Sequence, residues 1–221
     1  PRLDAVAEAL HEQRTLVRHH AMRRTVWVFE PPLARAAHAC CTAALAVKEW
    51  RRLAMMIEQS GIATDGATWC VAARAQALAT MQRIAPCTAR QLGAAEPSLT
   101  VKLLLSQGKS YAGTQGAHTR IVQNLGFDGA IVRTEATGSW INREYVWALA
   151  DAWVDGGLVD ESISARAGAA TVTAAYLASF GPAAGADLQW WAGWTVGTTK
   201  QALADVAAAL LAIAKHVTQE D

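Results

Sequence analysis

At 221 residues and 23.5 kDa the chain is sized for one large domain or two to three small ones, and 52% hydrophobic against 18% charged residues excludes a disordered chain. The overall charge of +1 hides an asymmetry: residues 1–150 hold 17 Lys+Arg against 11 Asp+Glu, a net of +6, whereas 151–221 hold 3 against 8, a net of −5. The longest charge-free stretch, 167–186, is broken by Thr, Ser, Gly and Pro, so no bilayer span and no membrane partner are expected.

Ala and Leu dominate the apolar fraction, which favours helix. Leu3, Val6, Ala7 and Leu10 share one helical face, and the cationic cluster Arg18, His19, His20, Arg23 and Arg24 follows. The β-branched and aromatic run 25–29 predicts a short strand, and Pro31-Pro32 starts a long helix reaching about Gln59. After Ser60-Gly61 and Asp65-Gly66 another helix, 67–84, closes at Pro86. A short helix over 88–93 precedes a second one from Pro97, where Leu99, Leu103 and Leu104 recur at helical spacing. A glycine-bearing loop, 107–116, leads to a third helix, 117–125, whose inner stripe is Ile121, Val122 and Leu125. Two β-rich runs, 130–134 and 144–148, make a long hairpin. Beyond an acidic linker at 151–161 come helices at 169–180, 184–191 and 195–211.

Helix, helix, polar third helix and hairpin is the order of a winged helix. The expected fold is therefore α+β, mainly α with short β-hairpins, in tandem winged-helix units. Residues 1–32 read as the end of a first unit, 33–85 as a helical connector and 86–160 as a central unit with its hairpin at 130–148. Residues 161–221 read as the start of a further unit, cut short. The chain opens on Pro1 without Met, which reads as a processed or truncated product.

Three blocks resemble a bacterial winged-helix family that includes the AlkZ-like and YcaQ-like DNA glycosylases. Arg14 to Phe29 resembles its "RTLV…AMRGT" segment. His118-Thr-Arg, Gly129 to Arg133, Gly138-Ser-Trp140 and Trp147 match its central hairpin block, and Ala174 to Ala183 with Asp187-Leu-Gln-Trp-Trp191 matches its "YL…FGPA…D…WW" block. The resemblance implies a C-shaped protein that holds double-stranded DNA and cleaves the N-glycosidic bond of alkylated purines, including crosslinked ones. Such chemistry needs a carboxylate or amide to position water against an oxocarbenium-like sugar. The family supplies it from a Gln-x-Gln or Gln-x-Asp motif near the N-terminus. No residue ahead of Arg14 makes that pattern, and Gln219-Glu-Asp221 has a charged middle residue at the other end of the chain. No catalytic residue is therefore assigned; an intact motif ahead of Pro1 would favour the glycosylase, and its absence the regulator. A non-enzymatic winged-helix regulator and a protein-interaction scaffold stay open beside the glycosylase.

The DNA-contacting candidates are Arg18, His20, Arg23, Arg24, Lys109, His118, Thr119, Arg120, Gln123, Arg133, Trp140 and Arg143. Fifteen of the twenty cations are Arg, whose fork grips phosphate. His118, Thr119, Arg120 and Gln123 fall on the polar face of the third helix, and Trp140 at the hairpin tip either wedges into a base step or folds back on its own domain. Trp190, Trp191 and Trp194 read as core filling. Cys40, Cys41, Cys70 and Cys87 lack C-x-x-C spacing and read as reduced, mostly buried thiols. Without a secretory signal, that indicates a cytoplasmic protein. His19-His20 and Cys40-Cys41 have no second pair at ligand spacing, so no metal is expected, and no cofactor motif is present.

Overall fold

The computed structural model of the chain describes residues 3–138 and 143–217. Helix α1 (Leu3–His11) precedes strand β1 (Val17–His20), which reverses through a 3-10 turn at Met22–Arg24 into β2 (Val26–Phe29). Val17 lies opposite Phe29 and His20 opposite Val26. Arg23 and Arg24 hold φ of 55° and 63°, a left-handed conformation that non-glycine residues seldom adopt. Thr25 Oγ1 and Trp27 Nε1 secure the turn by donating to the Met22 carbonyl at 2.9 and 3.3 Å. Sequence pattern pointed to the second strand alone. In β1 the buried positions are filled by Val17, His19 and His20, so two of its three inward residues are polar types.

Pro31 at its first positions starts α2 (Pro31–Ala37), where its fixed φ suits a helix and its missing N–H goes unneeded. One wide π turn at His38–Thr42 separates it from α3 (Ala43–Gln59), so the long helix expected from Pro31 to Gln59 forms with a bulge in it. The Asp65 carboxylate caps α4 (Gly66–Ile84), accepting from Thr68 N at 2.9 Å. Gly66 permits the close crossing of α3 and α4, since a Cβ there would overlap the Ala54 carbonyl. After the short β3 (Cys87–Thr88), Thr88 opens α5 (Ala89–Ala95) in a reciprocal capping box with Gln91.

The second helix expected from Pro97 does not form. A 3-10 turn at Pro97–Thr100 leads into β4 (Lys102–Leu105), antiparallel to β5 (Gly113–Gly116). Leu103 is fully buried while Leu104 is 43% exposed, the alternation of a strand. Ala117 N donates to the Val101 carbonyl and Leu104 N to Ser60 Oγ, both at 2.9 Å, so partners distant in sequence override the leucine spacing. Helix α6 (Ala117–Phe127) buries Ile121, Val122 and Leu125 as expected. The hairpin forms from β6 (Ile131–Gly138) and β7 (Arg143–Leu149) with a register shift between Arg133 and Ala136. Helices α7 (Ala150–Trp153), α8 (Ala165–Phe180), α9 (Gly185–Ala192) and α10 (Val196–Val217) follow.

The main sheet runs β2-β1-β6-β7-β3, joined at its centre by the Arg18–Arg133 pair. One sheet thus draws on both 1–32 and 86–160, which the sequence reading placed in separate units. Period-two alternation divides its side chains between two cores. Ile131 and Trp147 face the core of α3 to α6, while Val132 and Ala148 face that of α2, α8 and α9. The architecture is α+β, mainly helical with small antiparallel sheets. No helix among the described residues is long and apolar enough to cross a membrane.

Candidate nucleic-acid interface

Alternation along β1 decides where its cationic cluster goes. Arg18 and His20 point to the α6 side of the sheet and His19 to the other, where its Nε2 lies 3.2 Å from His38 Nδ1. Arg18 donates to the Thr134 carbonyl, and its half-buried guanidinium is pushed below its ordinary pKa by desolvation. His20 lies in the core rather than on the surface. Its ring is 4.7 Å from Phe127 and stacks on Trp147 at 6.4 Å, and burial followed by the Arg133 charge brings its pKa down to about 4. A neutral imidazole in that place meets aromatic rings, not phosphate.

In the following turn Met22 is buried and the two arginines face solvent. Arg23 lies over the exposed Trp190 ring at 4.2 Å, and Arg24 forms an ion pair with the buried Glu49 of α3. Trp190 is 69% exposed and so is not core filling, whereas Trp191 and Trp194 pack against the core as expected. Together with Arg166, Arg23 and Arg24 line a cleft of 630 Å³ between the turn and helices α8 and α10.

Helix α6 separates the remaining expected contacts between two clefts. One, of 280 Å³, gathers Thr119, Gln123 and Arg133 with Arg90, Glu144 and Tyr145. Arg133 is sandwiched there, 3.9 Å from the Tyr145 ring and 5.0 Å from Trp147, while Arg90 pairs with Glu144. The other, of 390 Å³, lies between α3, α6 and the β4–β5 hairpin and holds Arg52, Arg120, Met55 and Gln59. Arg120 Nε donates to Gln115 Oε1 at 2.9 Å, which braces the guanidinium. Gln107 Nε2 donates to the Gln59 carbonyl at 3.3 Å and holds the hairpin loop, with exposed Lys109 at its tip, against the end of α3. No carboxylate lines this cleft among the described residues.

His118 departs from the polar face assigned to it. Its ring turns back against Gly116 and Gly93, where a Cβ on either glycine would crowd it. Its Nδ1 is buried without a partner among the described residues, and burial followed by the Lys102 charge lowers its pKa. Trp140 and the side chain of Arg143 lie outside the described residues. Arg52 and Arg90 were not singled out from sequence. Arg52 was legible, since Lys48, Arg52, Met55 and Gln59 make an exposed stripe down α3 at helical spacing. Arg90 acquires meaning only when the β6–β7 hairpin brings Glu144 to it.

The fold is thus a sheet-centred α+β architecture, and these clefts are each lined by arginine. The family model described as "DNA glycosylase AlkZ-like" matches residues 1–216, and the chain belongs to that family. Among solved structures it is similar to the DNA glycosylase AlkZ of Streptomyces sahachiroi, with a TM-score of 0.58 and 15% identity. That likeness covers 93% of this chain and 51% of the other, so the chain spans about half the length of that protein. No curated protein matches it.

Proposed function

We propose that this chain holds double-stranded DNA for alkylated-base repair in the bacterial cytoplasm. It would do so with tandem winged-helix elements of the kind used by the AlkZ-like glycosylases. The observation that carries the reading is the cleft between α3, α6 and the β4–β5 hairpin. Arg52 and Arg120 stand together in it without a carboxylate among the described residues. Guanidinium groups gathered without counter-charge favour an anionic ligand, and their forks match phosphate. From there the exposed α3 stripe continues to Lys48, and the hairpin reaches outward to Lys109. Helix α3 is 17 residues long, about 25 Å, so the track is long enough to follow several phosphates of one strand. Thr119, Gln123 and Arg133 lie in the cleft next to this track, on the α6 side of the β6–β7 hairpin, as backbone contacts. Arg23 and Arg24 extend it at the far end of α3.

No residue of the chain is given the bond-breaking role. Glu144 is the one carboxylate lining these clefts among the described residues, and Arg90 occupies it. Base excision is accordingly proposed for a polypeptide that also carries the Gln-x-Gln or Gln-x-Asp motif. The test is a duplex-binding titration run beside a base-release assay on alkylated duplex. The expected result is binding to random-sequence duplex with no base released. Release of alkylpurine by this chain would place a catalytic group within it. Failure to bind duplex at low salt would favour the scaffold reading, and binding to one sequence alone the regulator.

A further inference from the structure

The 630 Å³ cleft has a second chemical character besides its arginines. Its wall includes the π turn, and both Cys40 and Cys41 line it. In a regular α-helix consecutive side chains diverge by about 100°. In this wide turn the two sulfurs approach to 3.5 Å and both remain partly accessible. Single π turns of this kind recur where a helix presents functional groups. Cys70 and Cys87 are buried in the other core, so the chain holds one adjacent, partly accessible thiol pair at the cleft wall and two separate interior thiols.

Adjacent Cα atoms joined by a trans peptide are about 3.8 Å apart, below the span of about 4.4 Å at which disulfides ordinarily begin to close. The pair is therefore held as a dithiol. Cys40 shares its proton with the Cys41 sulfur, which pushes the Cys40 thiol up and the Cys41 thiol down. Burial opposes the Cys41 thiolate without reversing that shift.

We propose that Cys40 and Cys41 form a bidentate site for a soft trivalent metalloid of the monosubstituted arsenic(III) class. The geometry selects this class over a harder or four-coordinate ion. No group of three or more His, Cys, Asp or Glu residues gathers among the described residues, so zinc would lack the ligands it needs. An arsenic(III) centre that carries its own organic substituent needs two thiolates only. In the capture step an organoarsenic oxide, R–As=O, meets both thiols. Two As–S bonds form, the As–O bond breaks, and the oxygen leaves as water with both thiol protons, without change of oxidation state. The substituent would occupy the cleft between Arg23, Arg24 and Arg166. Interference with DNA binding at that wall rests on the function proposed above; the dithiol site does not.

Phenylarsine oxide is the probe, added to the full chain and followed by native mass spectrometry. One adduct of the reagent less one water is expected, reversed by a dithiol and resistant to excess monothiol. Tryptic mapping of the unsubstituted protein should place it on the peptide 36–48, which holds both cysteines and needs no variant to fold. Cys40→Ser and Cys41→Ser should each lose it, while Cys70→Ala and Cys87→Ala should keep it. An adduct on the Cys70 or Cys87 peptides, its survival in Cys40→Ser, or no adduct at all would overturn the assignment.

Discussion

His20 sits where β1 crosses beneath α6, enclosed by Phe127 and Trp147, and desolvation there brings its pKa from 6.5 to about 4. A histidine held neutral in the fold binds its proton more readily when unfolded. Its contribution is therefore present above pH 6.5 and is lost progressively as pH falls toward 4. The two values set the span at about 3 kcal/mol. His20→Phe keeps the aromatic contacts without the titration, so denaturant unfolding should show a shallower loss of stability between pH 6.5 and 4 in the variant. An identical slope in both proteins would mean that His20 does not titrate across that window. The residue also marks a limit on reading function from sequence. In the run from Arg18 to Arg24, charge marks a cluster of five that supplies four phosphate-reaching candidates, and strand alternation withdraws the candidate His20, like its neighbour His19, into the cores. Arg18 and Arg133 are partly withdrawn as well, one onto a carbonyl and the other between aromatic rings.

Elements were legible where local signals agree. Asp65 and Thr88 accept from the backbone N–H three residues on, and helices α4 and α5 start there, whereas Ser164 caps α8 ahead of the start at 169 expected from sequence. Ile121, Val122 and Leu125 lie on the inner face of α6 as their spacing requires. Helical spacing misleads at Leu99, Leu103 and Leu104, because the backbone partners of β4 are β5 and Ser60, and neither is visible in a local window. The two descriptions of this segment separate by mutation. In the strand, Leu103→Ala should cost about 2–5 kcal/mol and Leu104→Ala less than about 1 kcal/mol by chemical denaturation. Comparable losses at both positions would support the helix. The β4–β5 hairpin matters for function as well, since it forms one wall of the Arg52–Arg120 cleft.

On the scale of the whole molecule, β1–β2 and β6–β7 belong to one sheet, with helices on both faces, and this brings residues more than a hundred positions apart into register. Sequence order alone divides these hairpins into separate units, since their pairing depends on contacts that form only on folding. The sheet seats α6 beside α3, and the basic charge of residues 1–150 comes to line clefts on both sides of α6. That arrangement makes a quantitative statement about DNA, because each neutralised phosphate releases condensed counterions and steepens the fall of affinity with salt. The measurement is duplex affinity across a salt series for the unsubstituted chain and for Arg52→Ala combined with Arg120→Ala. A phosphate-holding groove predicts a linear fall of log affinity with log salt, shallower by about 2 in the double variant. Equal slopes in the two proteins, or an affinity indifferent to salt, would contradict it.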